Sequence, residues 1–260
     1  MTPQEIQIQG DALYQALVDR QPIAPLSDRY PDLSIDQAYR IQLRMIENRQ
    51  KRGETIIGKK IGVTSKAVQN MLKVYQPDFG HLLSGMVFNE GEPIPTNSLI
   101  APKAESEIAF ILKHDLNGPG VTAADVLRAT DFVLPCFEIV DSRIADWKIK
   151  IQDTVADNAS CGVFVLGGKP RSIRGIDLSV AGMVVERNGD IVSTAAGAAV
   201  QGSPVNAVVW LANTLGALGI PLRAGEVILS GSQSPLMPAV AGDSFTCSVG
   251  GIGSCSVRFV

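Results

Sequence analysis

The stretch Ala101-Pro-Lys-Ala-Glu-Ser-Glu-Ile-Ala-Phe110 decides how the rest of the chain is arranged. It leads into an apolar run from Ile108 to Leu112, which predicts a strand that enters a hydrophobic core. Residues two apart in a strand point to the same face, so we expect Glu105 and Glu107 side by side. Two ionised carboxylates at the mouth of an apolar strand repel each other and are costly to desolvate. A bound cation would remove both penalties.

A third carboxylate, Glu138, lies near the middle of the next long apolar run, Val133-Leu-Pro-Cys-Phe-Glu-Ile-Val140. Three carboxylates form an oxygen-only site, which suits a hard divalent cation such as Mg²⁺ or Mn²⁺. The alternative is that Glu105 and Glu107 line a solvated sheet edge while Glu138 pairs with an arginine or lysine, since charged residues are usually exposed or paired.

Composition places the chain among ordinary globular proteins. It has 260 residues, of which 45% are hydrophobic and 19% charged, with a net charge of −3. No lysine- or arginine-rich run points to nucleic acid, and no signal peptide or membrane-spanning run is evident. The four cysteines form no C-x-x-C pair, so we expect reduced, buried thiols in a cytoplasmic protein.

Two helices are predicted near the N-terminus, over residues 4–20 and after the capping box at Ser34. They suggest a helical cap over residues 1–54, distinct from residues 55–260, where short apolar runs are broken by glycine and proline. In that second part Asn188-Gly189 predicts a type I′ hairpin, and Ser203-Pro204 predicts a helix start. The fold class is therefore α+β, a β-rich body with peripheral helices.

Further candidate residues follow from their positions. Lys59 and Lys60 interrupt an apolar strand, and one of them must face inward, unless both extend to solvent. Asp78 is expected at the apex of a turn. Arg143 and Ser160 belong to polar segments that are expected to line a cleft and bind substrate, although Arg143 could equally form a salt bridge in a plain connection.

Five segments resemble the hydratase/decarboxylase family of meta-cleavage pathways for aromatic compounds: Gly58–Ser65, Gln76–Gly80, Lys103–Phe110, Cys136–Arg143 and Asp153–Ser160. The likeness extends over essentially the whole chain. It implies a fold similar to the fumarylacetoacetase C-terminal domain over residues 55–260. It also implies Mg²⁺ or Mn²⁺ held by Glu105, Glu107 and Glu138, with Lys60 and Asp78 as catalytic residues.

Within that family the chain looks most like the enzymes that add water to 2-hydroxypenta-2,4-dienoate to give 4-hydroxy-2-oxopentanoate. The alternative is 4-oxalocrotonate decarboxylase, whose motifs differ at Gly58-Lys-Lys-Ile-Gly62 and at Ser230-Gly-Ser232. Related C–C hydrolases use a histidine-containing base arrangement, for which no comparable motif is found. A metal-stabilised binding module would leave Lys60 and Asp78 unexplained. The resemblance further implies a homo-oligomer and an association with the decarboxylase.

Overall fold

The structure, a computed structural model, describes the backbone of residues 1–260 and every side chain except those of Ala67, Met71 and Leu72. Its helices are α1 (Pro3–Asp19), α2 (Leu26–Arg29), α3 (Ile35–Lys51), α4 (Lys66–Leu72), α5 (Ala123–Ala129), α6 (Ile151–Ala156) and α7 (Pro204–Gly216). Its strands are β1 (Ile56–Gly62), β2 (Asp78–Leu83), β3 (Val87–Phe88), β4 (Pro93–Ile94), β5 (Lys103–Leu112), β6 (Thr130–Val140), β7 (Cys161–Leu166), β8 (Gly182–Arg187), β9 (Asp190–Ala196), β10 (Val227–Leu229), β11 (Met237–Pro238), β12 (Ser244–Val249) and β13 (Gly253–Phe259).

The strands form two sheets, and the larger one carries the candidate site. Its order is β2-β1-β10-β5-β6-β7-β3, with β11 added beside β5. The second sheet has the order β4-β13-β12-β8-β9. The main core joins apolar residues of both sheets to the buried face of α7. The expected α+β class with a β-rich body is confirmed.

The helices that precede β1 pack as a separate layer with their own small core. Capping boxes at Thr2 and Ser34 begin α1 and α3. Buried apolar residues of these helices, including Leu13 and Ile41, join Ile144 and Val155 of the body in one cluster. The layer is therefore attached to the body by apolar packing. A domain boundary at residue 54 stays a prediction.

Several local expectations are met and others need correction. Asn188 and Gly189 both have positive φ (54° and 92°), as a type I′ turn requires. Asp78 does not lie at a turn apex: it is the first residue of β2, because pairing with Gly62 of β1 extends the strand to that position. The sequence also predicts a short helix after Thr64 that carries Val68, Met71 and Leu72, and the side chains of Met71 and Leu72 lie outside the described residues. In the described part of the chain, no helix combines the length and apolar character needed to cross a bilayer.

Candidate active site

Three carboxylates meet on the face of the larger sheet that carries Ala109, Leu134 and Cys136, opposite the face that packs in the main core. Strands β5 and β6 are antiparallel with Glu105 opposite Glu138, and Glu107 lies two residues further along β5 on the same face. One oxygen from each residue lies within 4.8 Å of the others. Glu107 and Glu138 are buried, whereas Glu105 is partly exposed and marks the open side of the cluster. Strand periodicity and the pairing register of β5 with β6 thus bring together the three residues expected from the sequence.

Three of the four carboxylate oxygens of the buried pair Glu107 and Glu138 lack a hydrogen-bond donor among the described residues. Glu107 Oε2 accepts a hydrogen bond from the Gly231 N–H at 2.7 Å. Glu107 Oε1 and both carboxylate oxygens of Glu138 accept none, and Glu138 Oε1 has only the ion pair with Lys60 Nζ. Buried polar atoms are rarely left unsatisfied in proteins. Unpartnered oxygens in an all-carboxylate set therefore fit a hard divalent cation with oxygen ligands.

The electrostatics of the cluster support the same conclusion. Burial and the charge of Glu138 raise the pKa of Glu105 to about 7. Burial and Glu138 also raise the pKa of Glu107 well above its ordinary value. In the absence of a cation, burial and the neighbouring charge therefore disfavour the ionised forms of Glu105 and Glu107. A divalent cation would reverse this preference, because opposite charge stabilises the ionised form.

Lys59 and Lys60 of β1 are both buried, and Lys60 is the one that faces the carboxylate cluster. Its Nζ lies 3.1 Å from Glu138 Oε1 and donates a hydrogen bond to the Ala159 carbonyl oxygen at 3.0 Å. Burial lowers the pKa of Lys60, but the carboxylates, with Glu138 foremost, outweigh burial and raise it above its ordinary value. Lys60 is therefore a fixed buried cation beside the cluster. The alternative that both lysines extend to solvent is wrong, because Lys59 is also buried and pairs with Glu226 at 2.7 Å.

Asp78 is buried at the start of β2, and neither of its carboxylate oxygens has a hydrogen-bond donor among the described residues. Burial raises its pKa to about 6, although Lys60 opposes the shift. A Cβ added at Gly62 would lie 2.3 Å from Asp78 Oδ1 and 3.3 Å from Lys60 Nζ. The missing side chain at Gly62 therefore lets both functional groups pack against bare backbone. A carboxyl group that ionises near neutral pH is suited to proton transfer.

Arg143, expected to bind substrate, is fully buried and directs its guanidinium group at the protein itself. Its Nε donates to Asp157 Oδ1 at 2.5 Å, and its Nη2 donates to the Asp157 carbonyl oxygen at 2.5 Å. Its Nη1 donates to the carbonyl oxygens of Asp141 and Cys161. The structure thus shows the salt-bridge alternative for Arg143. The ion pair ties the end of β6 to the segment that follows α6.

Ser160 lies in an unusual turn next to Lys60. Asn158, Ala159 and Ser160 have φ values of 55°, 50° and 53°, three successive left-handed conformations that are unfavourable for side chains with a Cβ. Ser160 is buried, and its Oγ lies 3.2 Å from Thr154 Oγ1. The turn directs the Ala159 carbonyl oxygen at Lys60. Strained backbone of this kind is concentrated at functional sites.

Sequence reasoning missed three residues that support the site from a distance. Gln42 of α3 donates to the carbonyl oxygens of Phe79 (3.1 Å) and Val155 (2.8 Å). Tyr39 stacks on Phe79 with ring centroids 4.4 Å apart. Asn158 pairs with both backbone groups of His81 through its side-chain amide. Tyr39 and Gln42 lie on a helix far along the chain from β2, so no local pattern identifies them.

The two histidines contribute nothing to the carboxylate cluster. His81 Nδ1 lies 3.1 Å from Gln42 Oε1, and burial lowers the pKa of His81 to about 3, so the ring is neutral. Because Gln42 uses its amide nitrogen elsewhere, Gln42 Oε1 accepts and His81 Nδ1 carries the proton. His114 lines a separate groove of about 840 Å³ whose lining contains none of the three glutamates.

A family model described as fumarylacetoacetate (FAA) hydrolase C-terminal matches residues 60–260, which include every residue of the carboxylate cluster together with Lys60 and Asp78. The chain belongs to the fumarylacetoacetate hydrolase family. Within this family it is 66% identical over 212 residues to a 2-hydroxypent-2,4-dienoate hydratase of Pseudomonas putida, covering 81% of this chain and 96% of that protein. It is 57% identical over 258 residues to a 2-hydroxyhexa-2,4-dienoate hydratase of Comamonas testosteroni, covering 98% of both chains.

Among solved structures of the fumarylacetoacetate hydrolase family, the fold matches 4-oxalocrotonate decarboxylase from Pseudomonas putida G7, complexed with magnesium and adipate. The TM-score is 0.97 at 34% sequence identity, and the match covers 100% of this chain and 99% of that one. The same decarboxylase has also been solved with calcium and acetate, with a TM-score of 0.95. That decarboxylase thus carries divalent cations, and this chain has a group of three carboxylates that could hold one.

Proposed function

We propose that this chain is a metal-dependent hydratase that adds water to 2-hydroxypenta-2,4-dienoate to give 4-hydroxy-2-oxopentanoate. The observation that carries the proposal is the cluster of Glu105, Glu107 and Glu138, with unpartnered oxygens, beside buried Lys60. Relatives at 57% and 66% identity are named hydratases of 2-hydroxydienoates, which supports this reaction class. Their names differ by one carbon in the substrate, so the length of the substrate needs a separate argument.

The three glutamates are the proposed cation ligands, and Mg²⁺ or Mn²⁺ is the proposed ion. A bound cation of this type would supply Lewis-acid polarisation of the substrate's C2 oxygen. All-oxygen donor sets favour these ions over softer metals. Lys60 supplies only one positive charge beside the three carboxylates. A divalent ion would supply two, and would therefore favour their ionised forms more strongly.

Protons move at two substrate carbons in the proposed reaction. The C2 hydroxyl loses its proton and C5 gains one, which gives 2-oxopent-3-enoate. Water then adds across C3 and C4, with the hydroxyl on C4 and a proton on C3. Asp78 is the proposed acid–base group, since its pKa of about 6 allows both protonation states near neutral pH. Lys60, which stays protonated, is proposed to stabilise negative charge that develops on the substrate oxygen.

Arg143 and Ser160 are proposed to act through the structure around Lys60. The Arg143–Asp157 ion pair holds the segment that leads into the left-handed turn at Asn158–Ser160. That turn presents the Ala159 carbonyl oxygen to Lys60 Nζ. We therefore assign Arg143 to positioning rather than to substrate contact. Ser160 keeps its proposed role near the substrate, because its hydroxyl lies in the same turn.

Decarboxylation of 4-oxalocrotonate is the second candidate, because the decarboxylase structure superposes so closely. The test offers the purified protein, loaded with Mg²⁺ or Mn²⁺, both 2-hydroxypenta-2,4-dienoate and 4-oxalocrotonate. We expect hydration of the first and no CO₂ from the second. Release of CO₂ without hydration would replace the hydratase by the decarboxylase.

Two further measurements test the proposed roles. In D₂O the product should carry deuterium at C3 and C5, and a product labelled only at C3 would exclude the route through 2-oxopent-3-enoate. Asp78→Asn should lose about 10²- to 10⁴-fold in kcat, the usual contribution of a positioned acid–base group. Its affinity for Mn²⁺ should stay at the wild-type value, which separates a proton-transfer role from a role in metal binding.

The family resemblance also supports two proposals about assembly. We propose that the chain forms a homo-oligomer and associates with a 4-oxalocrotonate decarboxylase. Exposed apolar side chains such as Ile191 (66% exposed) and Val192 (46% exposed) on the edge strand β9 are compatible with a protein contact. Co-purification of the two enzymes tests the second proposal, and separate elution of the two would contradict it.

A further inference from the structure

Lys103 begins β5 and lies on the same face of that strand as Glu105 and Glu107. The pairing of β5 with β6 is regular from Lys103 to Glu107, so this alternation is not interrupted by a bulge. Neighbouring residues on one face of a strand are about 7 Å apart. Glu105 is the partly exposed member of the glutamate cluster, and Lys103 is partly exposed as well. Lys103 therefore lies at the open side of the cluster, where a ligand enters from solvent.

The ammonium group of Lys103 is held by an aromatic ring and not by a counter-charge. Its Nζ lies 4.0 Å from the centroid of the Trp147 ring, which is within the range of a cation–π interaction. Among the described residues, this Nζ forms no hydrogen bond and no ion pair, including with Glu105. A lysine ammonium group carries three N–H donors. These donors can therefore serve an acceptor that comes from outside the protein.

The Trp147 ring is itself fixed by the backbone around it. Its Nε1 donates a hydrogen bond to the Ala101 carbonyl oxygen at 3.0 Å. The buried Asp141 carboxylate fixes that segment, since it accepts hydrogen bonds from the N–H groups of Ile100 (2.9 Å) and Ala101 (2.7 Å). Asp146 and Trp147 have φ values of 57° and 54°, left-handed conformations that are unfavourable for residues with a Cβ. Such strain is concentrated at functional sites.

The charges around the site call for one more cation. Lys60 and a bound divalent cation would together balance the three carboxylates of the cluster. The carboxylate of a dienoate substrate adds a further negative charge. Arg143 directs its guanidinium group at the protein itself, and Lys59 pairs with Glu226. Lys103 supplies a positive charge on the face of the sheet where the substrate would bind.

We propose that Lys103 binds the substrate carboxylate and that Trp147 positions the lysine for this contact. The ligand class is 2-hydroxy-2,4-dienoates, together with other 2-oxo acids that enter the same site. The inference rests on the proposed function for the identity of the dienoate, and it adds a substrate-binding residue to the site. A hydrogen bond between an ammonium group and a carboxylate typically changes affinity by about 10- to 100-fold.

The first test is the kinetics of Lys103→Met, which removes the charge and keeps most of the apolar stem. KM for 2-hydroxypenta-2,4-dienoate should rise about 10- to 100-fold with kcat unchanged, as expected when uniform binding is lost. Lys103→Arg should retain most of the affinity, because a guanidinium group keeps both the charge and the contact with the ring. Lys148→Met is the matched control: this exposed lysine next to Trp147 pairs with Asp146, and its loss should leave KM unchanged.

Calorimetry with 2-oxopentanoate separates binding from turnover, because this saturated 2-oxo acid has the same carboxylate and cannot be hydrated at C4. The wild-type protein loaded with Mn²⁺ should bind it about 10- to 100-fold more tightly than Lys103→Met does. Added salt should weaken binding to the wild type more than to the variant, since partly exposed charges are screened. Mn²⁺ affinity should not fall in Lys103→Met, because the variant loses a positive charge that repels the metal ion.

The outcomes separate this inference from the function on which it rests. If Lys103→Met changes neither KM nor the affinity for 2-oxopentanoate, the proposed contact is overturned while the hydratase proposal stands. A fall in Mn²⁺ affinity in Lys103→Met would assign Lys103 to the structure of the cluster and would also overturn the contact. If the wild-type protein hydrates no dienoate yet binds 2-oxopentanoate through Lys103, the hydratase proposal fails and the carboxylate contact stands.

Discussion

At the scale of single residues, the bare backbone at Gly62 controls the distance between the two proposed catalytic groups. Gly62→Ala would place a methyl group against Asp78 Oδ1 and near Lys60 Nζ. We expect kcat/KM to fall about 100-fold, because a displacement of about 1 Å at a catalytic group has that effect. Gly182→Ala is the control, since a Cβ there meets no atom within 4 Å. Full activity in Gly62→Ala would show that Asp78 is not constrained by this contact.

Glu107 tests the cation site directly. Glu107→Gln keeps the shape of the side chain and removes one carboxylate. Mn²⁺ affinity, measured by calorimetry, should fall by more than about 100-fold, because substitution of residues that only contact the metal ligands already lowers affinity by up to about 100-fold. Without metal, the variant should unfold at a higher temperature than the wild type, because burial and Glu138 disfavour the ionised form of Glu107. Glu186→Gln on β8 is the control. Unchanged Mn²⁺ affinity in Glu107→Gln would contradict the ligand assignment.

At the scale of elements, the contribution of sequence reasoning can be traced to the range of each interaction. Glu105 and Glu107 were predictable because strand periodicity alone places them on one face. Glu138 was predictable because a carboxylate within an apolar run needs a partner. For Arg143, the sequence could not decide between substrate contact and a salt bridge. The salt-bridge partner, Asp157, comes close to Arg143 only once β6 and α6 are folded together. Gln42 gave no signal, since its acceptors are backbone oxygens of β2 and α6.

The connection between β6 and β7 should owe its stability to the Arg143–Asp157 pair. Arg143→Met leaves the Asp157 carboxylate buried without a counter-charge, which should lower the free energy of unfolding by about 3–5 kcal/mol. Replacing both partners, as Arg143→Met with Asp157→Leu, should recover much of the loss, since two apolar groups need no pairing. Urea unfolding measures both variants. If Arg143→Met has normal stability but a raised KM, the positioning role is wrong and Arg143 contacts the substrate directly.

The packing of α3 on β2 makes stability depend on pH through His81. The pKa of His81 is 6.5 in the unfolded chain and about 3 in the folded protein, so only the unfolded chain takes up a proton between these values. Proton uptake by His81 in the unfolded chain therefore leaves the free energy of unfolding unchanged above pH 6.5 and lowers it progressively as the pH falls towards 3. Between pH 6.5 and pH 5 the loss should be about 2 kcal/mol. In urea unfolding, His81→Asn should be less stable at pH 7 and depend less on pH, and an unchanged pH dependence would contradict this account.

At the scale of the whole molecule, we expect self-association. The apolar side chains on the edge strand β9 would otherwise remain in contact with water. Sedimentation at micromolar concentration should give a mass that is a multiple of one chain. A single-chain mass under those conditions would refute the expectation.

The hydrogen bonds of Gln42 also limit how this protein can be recombined with its relatives. A chimaera with a crossover between α3 and β2 would take Gln42 from one parent, and His81 and the Val155 backbone from another. The N-terminal part would look like an exchangeable module. Its Gln42, however, must form hydrogen bonds with His81 and with the carbonyl oxygens of Phe79 and Val155, all of which come from the second parent. Productive crossovers should therefore fall after α6 rather than at the apparent junction near residue 54.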